Sequence, residues 1–219
     1  AVDRENADIL YVMPSHQFPL GTVMPLKQRL ELLQWASKKE GRYLIEDDHD
    51  SEYRYKGKPI PALQSIDHEE NVIYLGTFSK LYALGGLRVG YGIANEAIIK
   101  AFYKLRAPFN VTNLSLKAAC VALDDKEFVE QTLQNNFTQM KRYEDFARQN
   151  GIKFINSYTN FITYFFETHQ SSTLANELLK KGIIIRDLKS YGLNAIRITI
   201  GLKEENDAFF DEFKNLIKV

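Results

Sequence analysis

One short stretch limits the folds open to this chain more than any other. The apolar run at residues 72–75 has the composition of a buried strand, and Lys80 follows it closely. A flexible cation is unusual directly after such a strand. Thr77 and Ser79 precede the lysine, and glycines separate it from Arg88. The pattern predicts a strand whose carboxyl end leads into a loop carrying two hydroxyl groups, an amine and a guanidinium.

These side chains together match the chemistry needed to hold one particular cofactor. An amine can form a Schiff base with an aldehyde, while hydroxyls and a guanidinium bind a phosphate dianion. Pyridoxal 5'-phosphate requires both kinds of contact, so the stretch predicts a pyridoxal-phosphate site. Because short motifs are weak evidence, an alternative stays open, in which Lys80 is a surface lysine and Arg88 forms a salt bridge.

Composition narrows the classes of protein to consider. Hydrophobic residues make up 45% of the 219 residues and charged residues 26%, which is typical of a globular protein with a real core. Lys plus Arg equals Asp plus Glu at 28 each, so the overall charge does not favour nucleic-acid contact. No apolar run reaches membrane-spanning length, and the first residues do not resemble a signal peptide. We therefore expect small-molecule partners and no contact with membrane or nucleic acid.

The single cysteine, Cys120, bears on the compartment of the protein. One cysteine excludes an internal disulfide, which favours the reducing cytoplasm. Its apolar neighbours predict a buried thiol that serves in packing and not as a nucleophile. The chain also lacks an initial methionine, which is typical of a processed product, an excised domain or a fragment.

Alternation of strands and helices predicts an α/β domain in the first half of the chain. Pro25 suits the first turn of a helix with Leu26, Leu30 and Leu33 on one face. We expect strands at residues 9–13, 43–45, 71–75 and 87–93. This order is typical of a largely parallel sheet.

The second half of the chain predicts a different architecture. A long amphipathic helix at residues 126–149 ends at Gly151. The tail after it predicts strands at residues 160–166, 183–186 and 195–200, with helices at 172–181 and 204–217. Such a tail forms a compact α+β unit, so we expect a domain boundary within residues 121–150.

Asp47 stands at the end of the strand predicted before Lys80. Ligand sites in open parallel sheets form beyond the carboxyl ends of strands, so Asp47 could pair with the pyridine nitrogen of the cofactor. His49 could bind the cofactor hydroxyl, and a structural role is equally consistent with its position. Asp47, Asp48 and Asp50 could instead form a solvated acidic turn or a divalent-cation site, which we disfavour because no matching ligand set recurs.

Two arginines in the tail are candidates for binding the anionic groups of a substrate. Arg197 lies inside the predicted strand at residues 195–200, where a planar fork would match a carboxylate. Arg186 lies at the end of another predicted strand. Either arginine could instead pair with an acid such as Asp187 or Glu204. For Arg197 we favour the substrate role, since an unpaired buried charge is costly.

The residues above resemble those of the fold-type I aminotransferases of class I and II. Residues 1–80 resemble the aminotransferase-like domain of MocR/GabR-type transcriptional regulators, and residues 81–219 resemble histidinol-phosphate aminotransferases. The first resemblance is carried by the runs 14–19, 45–53, 61–64 and 76–80. The second is carried by the runs 84–92, 107–111, 160–162, 185–188 and 197–201.

The resemblance assigns a role to each candidate residue near the cofactor. It implies that Lys80 forms the Schiff base and that Asp47 meets the pyridine nitrogen. Thr77, Ser79 and Arg88 fall where the family binds the cofactor phosphate. His49 stands nearest to the position where the family usually has a tyrosine for the ring hydroxyl.

The resemblance also implies substrates, assembly and domains. Arg197 would hold the substrate α-carboxylate, and Arg186 would meet the phosphate of histidinol phosphate. The implied reaction, in a homodimer, moves an amino group between a 2-oxo acid and either an amino acid or an amino-alcohol phosphate similar to histidinol phosphate. Residues 1–120 would be part of the cofactor-binding large domain without its N-terminal portion, and residues 121–219 the small domain. The alternatives are a regulator's effector domain without turnover and an inactive fragment.

Overall fold

The computed structural model describes residues 6–49, 53 and 60–217 of the chain. They form two compact units, one drawn from the chain up to Val129 and one from Glu130 onward. The segment Phe18–Thr22 belongs to the second unit although it lies early in the sequence. Asp50, considered above as a metal ligand, lies outside the described residues. The division at residue 120 stays a prediction.

The first unit is built on a four-stranded sheet in the order β1-β2-β3-β4. Strands β1, β2 and β3 are parallel, and β4 runs antiparallel to β3. The elements are β1 (Ile9–Val12), α1 (Leu26–Ser37), β2 (Tyr43–Asp48), β3 (Val72–Thr77), β4 (Gly90–Ile93), α2 (Glu96–Leu105) and α3 (Asn113–Asp124). The predicted α/β class with a largely parallel sheet is confirmed.

Helix α1 packs through a different face from the one that its leucines predict. Leu26 and Leu30 are 44% and 45% exposed, whereas Arg29, Trp35 and Ala36 are buried. The helix lies against β2, where a hydrophobic cluster collects around Trp35, Ala36, Leu44, Leu63 and Val72. The expected leucine face is therefore wrong for Leu26 and Leu30, whereas Leu33 packs against the cluster as predicted.

Arg29 is completely buried and is bonded on several sides. Its guanidinium donates to the carbonyl oxygens of Pro14 at 2.8 Å, Pro61 at 3.0 Å and Met24 at 3.1 Å. One nitrogen lies 3.7 Å from a carboxylate oxygen of Glu46. The arginine thus joins both ends of the segment between Pro14 and Met24 to the strand that carries Glu46.

Glu46 is the buried partner of Arg29 and holds a second stretch of backbone. Its two carboxylate oxygens accept hydrogen bonds from the amides of Leu63 at 2.9 Å and Gln64 at 3.0 Å. Burial raises the pKa of Glu46, while the two amides and Arg29 act in the opposite direction. The pair thus bonds three backbone carbonyls and two backbone amides in the interior of the unit.

Helices α2 and α3 begin at side-chain caps that the sequence provides. Asn95 accepts from the Ile98 amide at 2.9 Å, and Thr112 accepts from the Ser115 amide at 3.0 Å. Helix α3 buries Ser115 and Ala119 and directs Cys120 outward. The predicted burial of the cysteine is therefore wrong. Large apolar side chains of α2 and α3 are also exposed, among them Phe102, Tyr103, Leu105, Leu114 and Leu116.

The second unit has a four-stranded antiparallel sheet in the order β5-β6-β8-β7. Its elements are α4 (Lys126–Gln149), β5 (Lys153–Phe154), β6 (Phe161–Phe165), α5 (Ser171–Lys180), β7 (Arg186–Asp187), β8 (Ala195–Thr199) and α6 (Lys203–Leu216). The strand predicted at residues 183–186 is wrong over Ile183–Ile185, because β7 begins only at Arg186.

Alternation along β6 and β8 separates the core of the second unit from its other sheet face. Ile162, Tyr164 and Ile196 belong to the core, together with aromatic residues of α6 such as Phe213. Arg197 lies between Ile196 and Ile198 and therefore points to the opposite face. No helix in the described part of the chain has the length and apolar character to cross a bilayer.

Replacing Arg29 with leucine should strongly destabilise the protein. The substitution leaves Glu46 buried without its cation and removes the three hydrogen bonds that the guanidinium donates to backbone carbonyls, at an expected loss of about 3–5 kcal/mol. The control is Lys39→Ala, which removes a pair with Asp8 whose side chains are 48% and 58% exposed. That loss should stay below about 1 kcal/mol. Urea unfolding followed by circular dichroism measures both.

The same pair gives a pH dependence with a defined sign. The pKa of Glu46 is raised on folding, so the folded state binds the proton more tightly and the contribution of Glu46 to stability falls as pH rises through the raised pKa. Removing Arg29 takes away a group that opposes this shift. The destabilisation by Arg29→Leu should therefore be larger at neutral pH than near 4.5, the ordinary pKa. Equal losses at both values would contradict this account.

Replacing Gly76 with alanine should disturb the end of β3. A Cβ at this buried position would lie 2.6 Å from the hydroxyl of Tyr91, on the neighbouring strand. We expect a destabilisation of about 1–3 kcal/mol in urea unfolding. Gly86→Ala is the matched control, since a Cβ there meets nothing within 4 Å. Similar losses for both variants would show that close packing at Gly76 does not matter.

Candidate functional site

Asp47 lies near the carboxyl end of β2, beside Leu75 of β3. Along β2 the side chains of Leu44, Glu46 and Asp48 are buried, and Asp47 points to the opposite face. Its side chain is 25% exposed. The carboxylate is therefore open at the edge where parallel strands of an α/β sheet present ligand-binding groups.

Tyr11 of β1 is a neighbour of Asp47 that the sequence reasoning missed. Its hydroxyl donates a hydrogen bond to Asp47 Oδ2. Burial, together with the bond to Asp47 and the charge of that carboxylate, raises the pKa of Tyr11 to about 12. In the register of the sheet Tyr11 pairs with Ile45, two residues before Asp47, so both side chains share one face. Alternation along two adjacent parallel strands was the signal that could have found it.

His49 also lies close to Asp47. Its Nδ1 is 3.8 Å from Asp47 Oδ1, and the side chain is 21% exposed. At that distance the contact is an electrostatic one and not a direct hydrogen bond. A role of His49 at the cofactor hydroxyl stays a prediction.

The side chain of Asp48 lies on the opposite face of β2 from that of Asp47, because side chains alternate along a strand. It is buried on the other face and accepts a hydrogen bond from the Tyr74 hydroxyl at 2.8 Å. Burial first, and the charge of Asp48 second, raise the pKa of Tyr74 well above its ordinary value. The described residues contain no group of three or more His, Cys, Asp or Glu arranged to hold a metal ion.

The loop after β3 carries the predicted hydroxyl groups and the lysine. Thr77 Oγ1 lies 2.9 Å from Ser79 Oγ and accepts from the Ser79 amide at 3.1 Å. The carbonyl of Lys80 accepts from the Ala83 amide at 3.0 Å, which turns the chain directly after the lysine. Lys80 is exposed. It follows the carboxyl end of β3 by three residues.

Arg88 stands at the other end of the same loop. The Phe78 amide donates to the Val89 carbonyl at 3.3 Å, and Thr77 pairs with Gly90, so the two ends of the loop lie together. Arg88 has a left-handed backbone conformation with φ of 51°. Its Nη1 donates to the Gly85 carbonyl within the loop at 2.9 Å, and the residue is exposed.

Arg197 and Arg186 are brought side by side in the second unit. Thr163 of β6, Arg197 of β8 and Arg186 of β7 form one row across three strands. Arg186 Nη2 lies 3.5 Å from the hydroxyl of Tyr191. In the described part of the chain neither arginine forms an ion pair, because Asp187 instead accepts hydrogen bonds from Ser171 and Ser172.

Aromatic rings and a second guanidinium surround the side chain of Arg197. Its Nε is buried and has no hydrogen-bond partner among the described residues. The rings of Phe18 and Phe161 lie 5.3 Å and 5.1 Å from its guanidinium carbon. Burial lowers the pKa of Arg197, and the neighbouring charge of Arg186 lowers it further. Such a site favours binding of an anion, which would offset both effects.

The predicted cofactor-binding and substrate-binding residues are therefore divided between the two units. The first holds Asp47, Thr77, Ser79, Lys80 and Arg88 at the carboxyl ends of two adjacent strands and in the loop that follows. The second holds Arg186 and Arg197 on one sheet face. The roles assigned to these residues stay predictions at this point.

Comparison with curated proteins gives close relatives of one kind. Over 202 residues the chain is 55% identical to the histidinol-phosphate aminotransferase of Campylobacter jejuni subsp. doylei, covering 91% of this chain and 55% of that protein. It is 66% identical over 156 residues to the enzyme of the same name from Campylobacter lari, covering 71% and 43%. The chain thus spans about half the length of the curated relatives it matches.

Solved structures give the same fold. Histidinol-phosphate aminotransferase from Sinorhizobium meliloti, solved in complex with pyridoxal-5'-phosphate, matches with a TM-score of 0.85 and 27% identity, covering 99% of this chain and 59% of that one. The Clostridium acetobutylicum enzyme has a TM-score of 0.87 at 24% identity, covering 99% and 66%, and supports the fold alone.

The family follows from the extent of these matches. The resemblance of residues 81–219 agrees with the names of the curated relatives, whereas the MocR/GabR-type resemblance of residues 1–80 stays a prediction. The family model for aminotransferase class I and II matches residues 5–212. Because that match takes in nearly the whole sequence, the chain belongs to the aminotransferase class I and II family.

Proposed function

We propose that this chain carries the reactive lysine of a pyridoxal-phosphate-dependent aminotransferase. The reaction moves an amino group from an amino acid, or from an amino-alcohol phosphate resembling histidinol phosphate, to a 2-oxo acid. One observation carries the proposal above all. A single closed loop holds Lys80 and two hydroxyls at one end and Arg88 at the other, next to the strand that bears Asp47.

The donor set of the first unit fits pyridoxal 5'-phosphate. The hydroxyls of Thr77 and Ser79 and the guanidinium of the exposed Arg88 are groups that bind a phosphate dianion. Asp47 is an accessible carboxylate that would hold a protonated pyridine nitrogen. When bound, this cofactor supplies an electron sink for the pair released as a bond to the α carbon breaks.

Lys80 would have two functions, in sequence. Its Nζ first binds the aldehyde covalently, and its exposure leaves the amine within reach of a ligand at the sheet edge. Once freed by the incoming amino donor, the amine would take a proton from the α carbon and deliver it to the cofactor carbon that had carried the aldehyde. Tyr11 would assist by fixing Asp47 Oδ2, which leaves Oδ1 for the ring nitrogen.

The two arginines of the second unit would bind the anionic groups of the substrates. Arg197 would hold an α-carboxylate, and Arg186 the phosphate of an amino-alcohol phosphate. Both guanidiniums lack an acidic partner in the described part of the chain, so an incoming anion would not have to displace one. The names of the Campylobacter relatives support a phosphorylated amino alcohol as the donor.

Assembly and compartment belong to the same proposal. A homodimer is supported by the large apolar side chains that α2 and α3 leave exposed, such as Phe102 and Leu105. A cytoplasmic location is supported by a single cysteine that is exposed and free.

Borohydride reduction in the presence of pyridoxal 5'-phosphate should label Lys80. We expect one stable adduct at this residue at low cofactor concentration, located by mass spectrometry of peptides. Lys100→Ala should keep the adduct, since that lysine is an exposed residue paired with Glu96 on α2. Lys80→Ala should remove it. Labelling spread evenly over surface lysines, with no preference for Lys80, would refute the proposal.

Replacing Arg88 with glutamine should weaken binding of the phosphorylated cofactor specifically. Loss of a charged hydrogen bond to the phosphate predicts a roughly tenfold rise in the Kd of pyridoxal 5'-phosphate. Pyridoxal, which lacks the phosphate, should bind both proteins equally. The control variant Arg106→Gln alters an exposed arginine bonded to Asn110 and should change neither Kd. Parallel losses for the two ligands would show that Arg88 acts on folding and not on phosphate.

A further inference from the structure

Phe18 lies against Arg197 although the two residues are far apart in sequence. The segment Phe18–Thr22 belongs to the second unit, and the Phe18 ring centroid is 5.3 Å from the guanidinium carbon. Phe161 of β6 lies 5.1 Å from the same carbon. The two rings are arranged edge to face with centroids 6.5 Å apart. The guanidinium is therefore flanked by aromatic surfaces.

The contact is held in place by the strand next to Arg197. Thr163 pairs with Arg197 in the sheet, and its hydroxyl donates to the carbonyl of Pro19 at 2.7 Å. Further along the segment, the Tyr158 amide donates to the Gly21 carbonyl at 3.0 Å. These bonds fix the backbone at Pro19, directly after Phe18, and again at Gly21. The ring of Phe18 is thus placed by the residue directly opposite the arginine it contacts.

Tyr191 extends the aromatic contacts to the second arginine. Its ring is 5.3 Å from Phe18, and its hydroxyl is 3.5 Å from Arg186 Nη2. Aromatic rings cover part of the guanidinium of Arg197 and exclude water from its Nε, which has no hydrogen-bond partner among the described residues. An anion therefore meets a guanidinium whose orientation is already restricted, so less entropy is lost on binding.

We propose that Phe18 is a positioning residue for Arg197: its ring, anchored through Thr163, holds the guanidinium in the orientation that receives the carboxylate or phosphate of a substrate. This inference rests on the anion-binding role proposed for Arg197. It does not depend on Lys80 or on the cofactor. Its chemistry is a cation over an aromatic face, which restricts a flexible side chain without neutralising its charge.

Phosphate titration of the full 219-residue chain, without cofactor, tests the inference. The Nε–H signal of Arg197 is followed by nitrogen-15 NMR at constant ionic strength and assigned with Arg197→Lys. The wild-type signal should shift and saturate. In Phe18→Leu the Kd for phosphate should rise roughly threefold to tenfold, as expected for loss of one cation–π contact. Phe18→Tyr keeps the ring and should restore the wild-type Kd within about twofold.

Two further variants separate positioning from general packing. Thr163→Val removes the bond to Pro19 with little change in shape and should weaken phosphate binding in the same direction as Phe18→Leu. Phe154→Leu removes the corresponding ring from Arg148, 5.4 Å away, and should leave binding at Arg197 unchanged. An unchanged Kd in folded Phe18→Leu and Thr163→Val overturns the proposal, as does a wild-type signal that phosphate does not shift. Failure of cofactor labelling at Lys80 would not affect either result.

Discussion

The buried pair of Arg29 and Glu46 is the interaction on which the first unit most depends. Its direct electrostatic gain is small once the desolvation of two charges is counted. Its value lies in the backbone groups that it satisfies, three carbonyls through Arg29 and two amides through Glu46. Neither residue touches the candidate site. They nevertheless fix the strand from which Asp47 projects.

Strand β2 carries residues that stabilise the fold on one face and a candidate site residue on the other. Even-numbered residues of the strand face the interior, where Glu46 and Asp48 hold the surrounding structure together. Asp47, between them, faces the open side and contacts Tyr11 and His49. Because the side chains of a strand alternate, the three consecutive acids are divided between two faces, with Glu46 and Asp48 on one and Asp47 on the other. The second unit repeats the pattern, with Arg197 facing away from the core that its neighbours Ile196 and Ile198 build.

Elements set by local periodicity could be predicted from the sequence, whereas contacts between residues far apart in the sequence could not. The strand before Lys80, the long helix α4 and the position of Arg197 in a strand all follow from periodicity. The leucine face of α1 was wrong for Leu26 and Leu30, because the burial of Arg29 depends on carbonyls at Pro14 and Pro61, which no helical period reveals. Tyr11 was missed because its relation to Asp47 exists only in the register of two strands. Ile183–Ile185 has the composition of a strand, yet β7 begins only at Arg186.

The backbone of Arg88 has a consequence for any attempt to make this protein more robust. A left-handed conformation strains a residue that carries a Cβ, at a cost of roughly 1–2 kcal/mol that glycine avoids. Selection for heat resistance alone would therefore enrich glycine at this position. The more durable protein would have lost the guanidinium proposed to meet the cofactor phosphate. Stability and cofactor binding therefore favour different residues at this position, and arginine is the residue that favours binding.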